Sequence, residues 1–193
     1  MRVLALLIIS LLLLGSCKSS HEFYGFFYDK PAQDFKLKDQ DGQSRSLSSI
    51  TRDGSIVLLF FGYTNCPDIC PDSLSKMQKT LELLKKDASR VKAVFISVDP
   101  ERDTPAVLKS YMSYFGPSFI GLTGKPEEIA SVAKAYNAYY TKVKSDSALG
   151  YLIDHTATIY LITPDMKVKL LYTMNKQEPK KIAEDIRFLL SEK

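Results

Sequence analysis

Two cysteines and one histidine are the residues of this chain best suited to chemistry. Cys66 and Cys70 stand in the stretch Gly62-Tyr63-Thr64-Asn65-Cys66-Pro67-Asp68-Ile69-Cys70-Pro71, and His155 follows 85 positions after Cys70. Redox dithiols usually separate their cysteines by two residues, and here the separation is three. That spacing still permits a disulfide, and it also lets two thiolates face one ligand. The pair alone leaves metal binding and disulfide exchange both open. An imidazole brought to the same place would suit copper: soft sulfur favours Cu(I), and sulfur mixed with nitrogen also holds Cu(II). Zinc is allowed by donor type, although a structural zinc site takes four ligands.

The flanking sequence says which elements must carry these residues. Ile56 to Phe61 is an unbroken apolar run, read as a buried strand, and Leu74, Met77, Leu81 and Leu84 share one face of a helix expected over residues 71–87. The cysteines therefore occupy a strand-to-helix loop, where α/β folds put chemistry. Pro71 suits the opening of that helix, which would set Cys70 near the N-cap. The helix dipole favours negative charge there, so both thiols are expected to ionise more readily than a free cysteine. Met77, seven residues after Cys70, would bring a thioether along the helix, but its place on the apolar face reads as core. Asp99 ends a strand expected over 91–98, where it either stabilises the turn into Pro100 or orients a ligand. Asp154, next to His155, invites the same two readings, and Tyr63 either lines the site or packs. His21 is assigned no role.

The remaining elements follow in order. Phe35 to Leu47 reads as a β-hairpin turning at Asp41-Gly42. Thr104-Pro105 opens a helix to about Phe115, a short strand covers 119–122, and Pro126-Glu127-Glu128 opens a helix to about Tyr136. Residues 139–143 are a further strand. Strands at 157–162 and 168–172 form a hairpin, and a helix over 178–191 closes the chain. His155 then stands in the entry loop of the 157–162 strand, which would lie beside the 55–61 strand and face the cysteine loop. Strand, helix, strand, helix, hairpin and helix is a thioredoxin-like α/β order, with an added N-terminal β-hairpin.

The N-terminus belongs to a different regime. Arg2 precedes an apolar run from Val3 to Leu14, too short to span a bilayer and suited to a signal peptide. It ends in Leu14-Gly15-Ser16-Cys17, which resembles a bacterial lipobox, so residues 1–16 are expected to be removed and Cys17 acylated. Residues 17–30 would be a lipidated tether whose aromatics pack on the domain, and 31–193 the domain itself. This implies an exported protein, held by lipid on the periplasmic or extracytoplasmic side of a membrane. The formal charge of +4 comes without a basic run, and Lys85-Lys86 and Lys180-Lys181 read as solvated helix faces, so nucleic acid is not an expected partner. Two cysteines are too few for a disulfide scaffold, and they read as functional.

Three motifs together resemble the Sco/SenC family: Cys66-x3-Cys70-Pro71, the segment Ser97-Val98-Asp99-Pro100-Glu101-Arg102-Asp103-Thr104-Pro105, and Tyr151-x2-Asp154-His155. The similarity runs over about residues 31 to 190. It implies that Cys66, Cys70 and His155 are copper ligands, Cu(I) or Cu(II), and that the two cysteines form a disulfide when oxidised. It implies a metallochaperone, not an enzyme in the strict sense, that helps assemble the binuclear copper site of cytochrome c oxidase subunit II. The alternative is an exported thiol-disulfide oxidoreductase acting through Cys66 and Cys70, on the same target or another. One local feature favours copper. Thioredoxin-like oxidoreductases commonly place a cis-proline before the strand facing the dithiol, and here that segment reads Asp154-His155-Thr156. Many family members carry a transmembrane anchor, so only the mode of tethering departs from the family pattern.

Overall fold

Every residue of Ile56–Gly62 is buried, which marks this strand as the middle of a sheet covered on both faces. The computed structural model describes residues 21–146, 148 and 150–192. The elements run β1 (Phe26–Pro31), β2 (Lys36–Asp39), β3 (Ser44–Ser46), α1 (Leu47–Thr51), β4 (Ile56–Gly62), α2 (Ile69–Leu84), β5 (Val91–Ser97), α3 (Pro105–Ser113), β6 (Phe119–Thr123), α4 (Pro126–Ala135), β7 (Tyr140–Lys144), β8 (Tyr151–His155), β9 (Ile159–Thr163), β10 (Lys167–Tyr172) and α5 (Pro179–Ser191). The main sheet has the order β1-β10-β9-β4-β5-β6-β2-β3, while β7 and β8 form a separate two-stranded sheet. Strands β4, β5 and β6 are parallel, as their helical crossovers require, and β9 returns antiparallel on β4. Helix α2 packs against α5, and α3 against β6. This is the thioredoxin-like α/β fold expected from the sequence. Among the described residues no helix is long and apolar enough to cross a membrane.

The added hairpin is present as β2 and β3. It turns at Asp41-Gly42, with Gly42 at φ 74°, and joins the sheet through β6. The buried Asp39 side chain holds the turn by accepting from the Asp41 and Gln43 amides at 3.0 and 2.8 Å and from Arg45 at 2.8 Å.

Three local expectations are corrected. Helix α2 starts at Ile69, two residues before Pro71, so Cys70 lies inside its first turn. It ends at Leu84, where Lys85 takes φ 55° and the chain continues as a 3-10 turn to Arg90. Residues 151–163 hold two strands instead of one, so His155 is the last residue of β8, paired with Tyr140, and not part of a loop.

The sheet also takes in residues assigned to the tether. Strand β1 pairs antiparallel with β10, with Phe26 opposite Leu171. What holds the segment is Asp185, a buried carboxylate on the apolar face of α5. It accepts from the Tyr24 and Gly25 amides at 3.1 and 3.0 Å and from the Tyr172 hydroxyl at 3.0 Å, and His21 Nε2 stands 3.0 Å away. Asp185→Ala strands these donors in a buried place. We expect unfolding free energy to fall by about 2–3 kcal/mol, read from urea denaturation. A loss below about 0.5 kcal/mol would show that the N-terminal strand is held by other means.

Candidate metal centre

The site begins where β4 runs out. A Cβ at Gly62 would lie 2.7 Å from Cys70 Sγ and 2.8 Å from the Phe95 ring, so only glycine lets the cysteine pack against the strand end. The loop that follows is clamped by Asp103. Its carboxylate accepts from the Thr64 amide at 3.0 Å, the Thr64 hydroxyl at 2.6 Å and the Ser97 hydroxyl at 2.6 Å. Burial raises the Asp103 pKa, opposed by those three donors. Past the clamp, Cys66 donates its amide to the Tyr63 carbonyl at 3.2 Å. The Asp68 N-cap makes no side-chain capping bond; the Cys70 amide instead donates to Cys66 Sγ at 3.3 Å. A sulfur thus takes up one of the orphan donors of the helix N-terminus.

His155 comes to this loop from β8. Its Nε2 lies 3.2 Å from Cys70 Sγ and 4.0 Å from Cys66 Sγ. Nδ1 lies 3.2 Å from the Thr156 carbonyl, which can only accept. The proton therefore belongs on Nδ1, and the Nε2 lone pair faces the sulfurs. Phe60 and Tyr63 meet the imidazole edge-on, each with centroids 5.9 Å away. The Tyr63 hydroxyl also accepts from the Ile153 amide at 3.1 Å, tying β8 to the cysteine loop. The ligating atoms of Cys66, Cys70 and His155 all lie within 4.8 Å of one another. A cavity of about 320 Å³, lined by Tyr63, Cys66, Pro67, Ile69, Leu152 and His155 among others, opens this group to solvent.

The two thiols differ, contrary to the expectation that both ionise easily. Cys66 is half-buried, and its pKa is lowered to about 4, chiefly by a hydrogen bond from Cys70, with help from the Cys70 amide. Cys70 is fully buried, and its pKa is raised, first by that burial and then by the neighbouring Cys66 thiolate. Both cysteines are free of disulfide. The resting pair is a thiolate and a thiol.

The structure also sorts the other candidates. Asp99 is fully buried, but its carboxylate bonds Arg102 and the Tyr151 hydroxyl, the latter at 2.8 Å, and does not meet the cysteines or His155. Arg102 in turn donates to the Tyr151 carbonyl at 3.2 Å and lies 3.7 Å over its ring. Asp99 thus fixes the start of the strand that ends in His155, and its amide and carbonyl also build the turn. Asp154 is exposed opposite Thr141, on the other face of β8 from His155. Met77 is buried in the core. Tyr63 does both things expected of it, packing and lining the site. Cys17 lies outside the described residues. Asp103, Thr64 and Ser97 were not singled out from the sequence, although Ser97 and Asp103 lie in a motif that was; their signal is a polar pair bracketing a turn between a buried strand and a capped helix.

A thioredoxin-like sheet with two free thiols at its strand-to-helix loop and an imidazole across from them defines a thioredoxin-fold protein with a Cys2His site. Residues 28–191 match the family model described as SCO1/SenC. A SCO2-like protein of Rickettsia felis is 40% identical over 155 residues, covering 80% of this chain and 74% of its own length. The copper-bound structure of Bradyrhizobium japonicum ScoI shares 42% identity at a TM-score of 0.72, over 82% of this chain and 98% of that one. The structure of BsSco, described as a Sco-family cytochrome c oxidase assembly protein with a disulfide switch, shares 28% identity at a TM-score of 0.65, over 84% of this chain and 95% of that one. The chain belongs to the SCO1/SenC family.

Two outcomes follow from this geometry. Alkylation mapped by mass spectrometry should modify Cys66 first, at a rate nearly flat from pH 6 to 8, because its thiolate is lost only as the pH falls toward about 4. A rate rising about ten-fold per pH unit would mean an ordinary thiol. Gly62→Ala should push Cys70 from its place and cost about 1–3 kcal/mol in unfolding free energy. An unchanged stability would show that the strand end has room to spare.

Proposed function

We propose that this protein binds copper through Cys66, Cys70 and His155 and helps assemble the binuclear copper site of cytochrome c oxidase subunit II. The single observation that carries the reading is the convergence of two sulfurs and one imidazole nitrogen within 4.8 Å at the edge of a solvent-open cavity. The donor set fits the metal. One sulfur is already a thiolate, the imidazole presents a bare nitrogen, and two soft ligands with one borderline ligand suit Cu(I) while still accepting Cu(II). Half-exposed Cys66 and His155 give an acceptor access from one side, whereas Cys70 holds from beneath. Copper is cargo here, so the site must both hold and release it. The copper-bound ScoI relative and the oxidase-assembly description of BsSco support the assignment. The protein would act on the extracytoplasmic side, attached to a membrane by lipid on Cys17.

A second reading is favoured by the unequal thiols. A thiolate beside a protonated partner is the arrangement of an attacking and a resolving cysteine. The Cys66 thiolate would attack a target disulfide to form a mixed disulfide. Cys70 would then lose its proton, displace the target's second thiolate, and leave a Cys66–Cys70 disulfide with the target reduced by two electrons. The same site could thus prepare the acceptor's cysteines before loading them.

The test is copper stoichiometry and competition affinity on the reduced protein. His155→Ala should weaken Cu(II) binding at least ten-fold while Cys66–Cys70 disulfide formation persists, and Cys66→Ser or Cys70→Ser should abolish tight Cu(I) binding. Stoichiometric copper in either cysteine variant would place the site elsewhere. No tight copper in wild type, together with a readily cycling disulfide, would leave the oxidoreductase reading alone. The thiols also set the pH dependence. Near neutral pH Cys66 is already ionised and Cys70 is not, so copper binding to both sulfurs releases about one proton, and affinity should rise about ten-fold per pH unit from 6 to 8. A flat titration would mean that Cys70 is not a ligand.

A further inference from the structure

The described chain begins at an anchored point. His21 Nε2 lies 3.0 Å from buried Asp185, and its ring stacks on Phe188 at 4.4 Å. Cys17 stands four positions earlier. Four residues span at most about 14 Å even when fully extended. An acyl group on Cys17 would therefore hold the membrane against the face that carries His21 and β1, because no longer tether is left.

That edge has the character of a bilayer contact, with Phe26 and Phe27 flanking it on opposite faces of the sheet. Phe26, Phe27 and Tyr28 of β1 are 50%, 60% and 38% exposed, and Met174, just past the end of β10, is 59% exposed. Lysines are interleaved with them. Lys176 Nζ lies 4.9 Å from the Phe26 ring, Lys169 Nζ lies 5.1 Å from the Phe27 ring, and Lys30 is exposed on the same strand. The acid among them, Asp29, is met by Lys169 at 3.1 Å and Lys167 at 3.8 Å. Aromatic rings with lysines around them suit a layer that is apolar below and anionic above.

A free sheet edge also invites a strand from another chain. Here the edge is broken in the way that blocks such pairing. The register of β1 shifts between Phe27 and Lys30, Asp29 takes φ 46°, and Pro31 ends the strand without an amide donor.

We infer that the β1 edge, with Phe26, Phe27, Tyr28, Lys30 and Lys176, docks on an anionic phospholipid bilayer. This rests on the lipid-anchored reading of Cys17, and it is tested without the lipid. The protein starting at Lys18 holds every described residue and all their contacts. It is sedimented with vesicles of phosphatidylglycerol and phosphatidylcholine, and with phosphatidylcholine alone. Wild type should partition onto the anionic vesicles and release as salt rises. Phe26→Ser/Phe27→Ser should lower the partition coefficient about ten-fold, and Lys30→Glu/Lys176→Glu should lower it on anionic vesicles, with far-UV circular dichroism unchanged. Copper stoichiometry should be the same in all three proteins, so the result stands apart from the metal reading. Acylation of the full chain is read separately from the mass of its N-terminal peptide. Equal partition of wild type and both variants overturns the inference, and so does no partition at all. A dimer that dissociates in Phe26→Ser/Phe27→Ser without vesicle binding also overturns it, and assigns the edge to a second copy.

Discussion

The antiparallel pairing of β9 on β4 is the constraint on which the site depends. It sets Ile159 opposite Phe60, two residues before Gly62, so the chain entering β9 passes over the strand end that carries the cysteines. His155 lies four residues before Ile159, close enough for its imidazole to sit over both sulfurs. A one-residue slip would turn the inward side chains of β9 outward and carry the imidazole away with them. Val57 to Phe60 and Ile159 to Ile162 are all buried apolar residues, so this pair lies in the middle of the sheet, covered on both faces.

Around that frame the chain spends its buried polar groups on position. Asp103 never meets the cysteines or His155, yet its two hydrogen bonds from Thr64 and one from Ser97 tie the loop, two residues before Cys66, to the end of β5. Asp99, Arg102 and Tyr151 hold the far end of β8, and Tyr63 holds its middle through Ile153. Both carboxylates come from the same turn after β5, so one short segment steadies the cysteine loop and the histidine strand together. The thiols show which physical effect dominates. Helix α2 offers its N-terminus to both sulfurs, and a dipole is worth about 0.3–1 kcal/mol at a terminus. Full burial of a charge outweighs that, so Cys70 keeps its proton. Cys66, half-exposed and given hydrogen bonds by its partner, loses its own.

Much of this was legible in the residues. The central strand, the hairpin at Asp41-Gly42, the Thr104 cap before Pro105 and the return hairpin over β9 and β10 all follow from patterning and turn chemistry. The trio Cys66, Cys70 and His155 was found because the fold order puts their elements side by side. What the pattern hid has a physical reason in each case. Strand β8 leaves little trace in the sequence apart from its successor, because residues 151–155 belong to a two-stranded sheet with little burial to leave an apolar signature. Pro71 does not mark the start of α2, because it is equally at home at the third helical position, where its missing donor is also no loss. Strand β1 read as tether because its side chains are mostly exposed, and the group that pins the segment is far off on α5. The one sign of it was Asp185, a carboxylate between Ile182 and Ile186 on an otherwise apolar helix face.

The division of the three candidate donors between two bodies bears on how the site would hold and yield a metal. Both cysteines belong to the main sheet and its first helix, but His155 ends a strand of the small β7–β8 sheet. Two strands alone are marginal in water, so this sheet depends on its attachments to the body. The attachments named above are few: the Tyr63 hydroxyl, the Tyr151–Asp99 bond and the Arg102 bridge. A metal held by all three donors would add a further link between the two bodies, so binding would stabilise the β7–β8 attachment and losing it would loosen His155 first. Release would then begin at the ligand nearest solvent, with the buried Cys70 sulfur the last to let go.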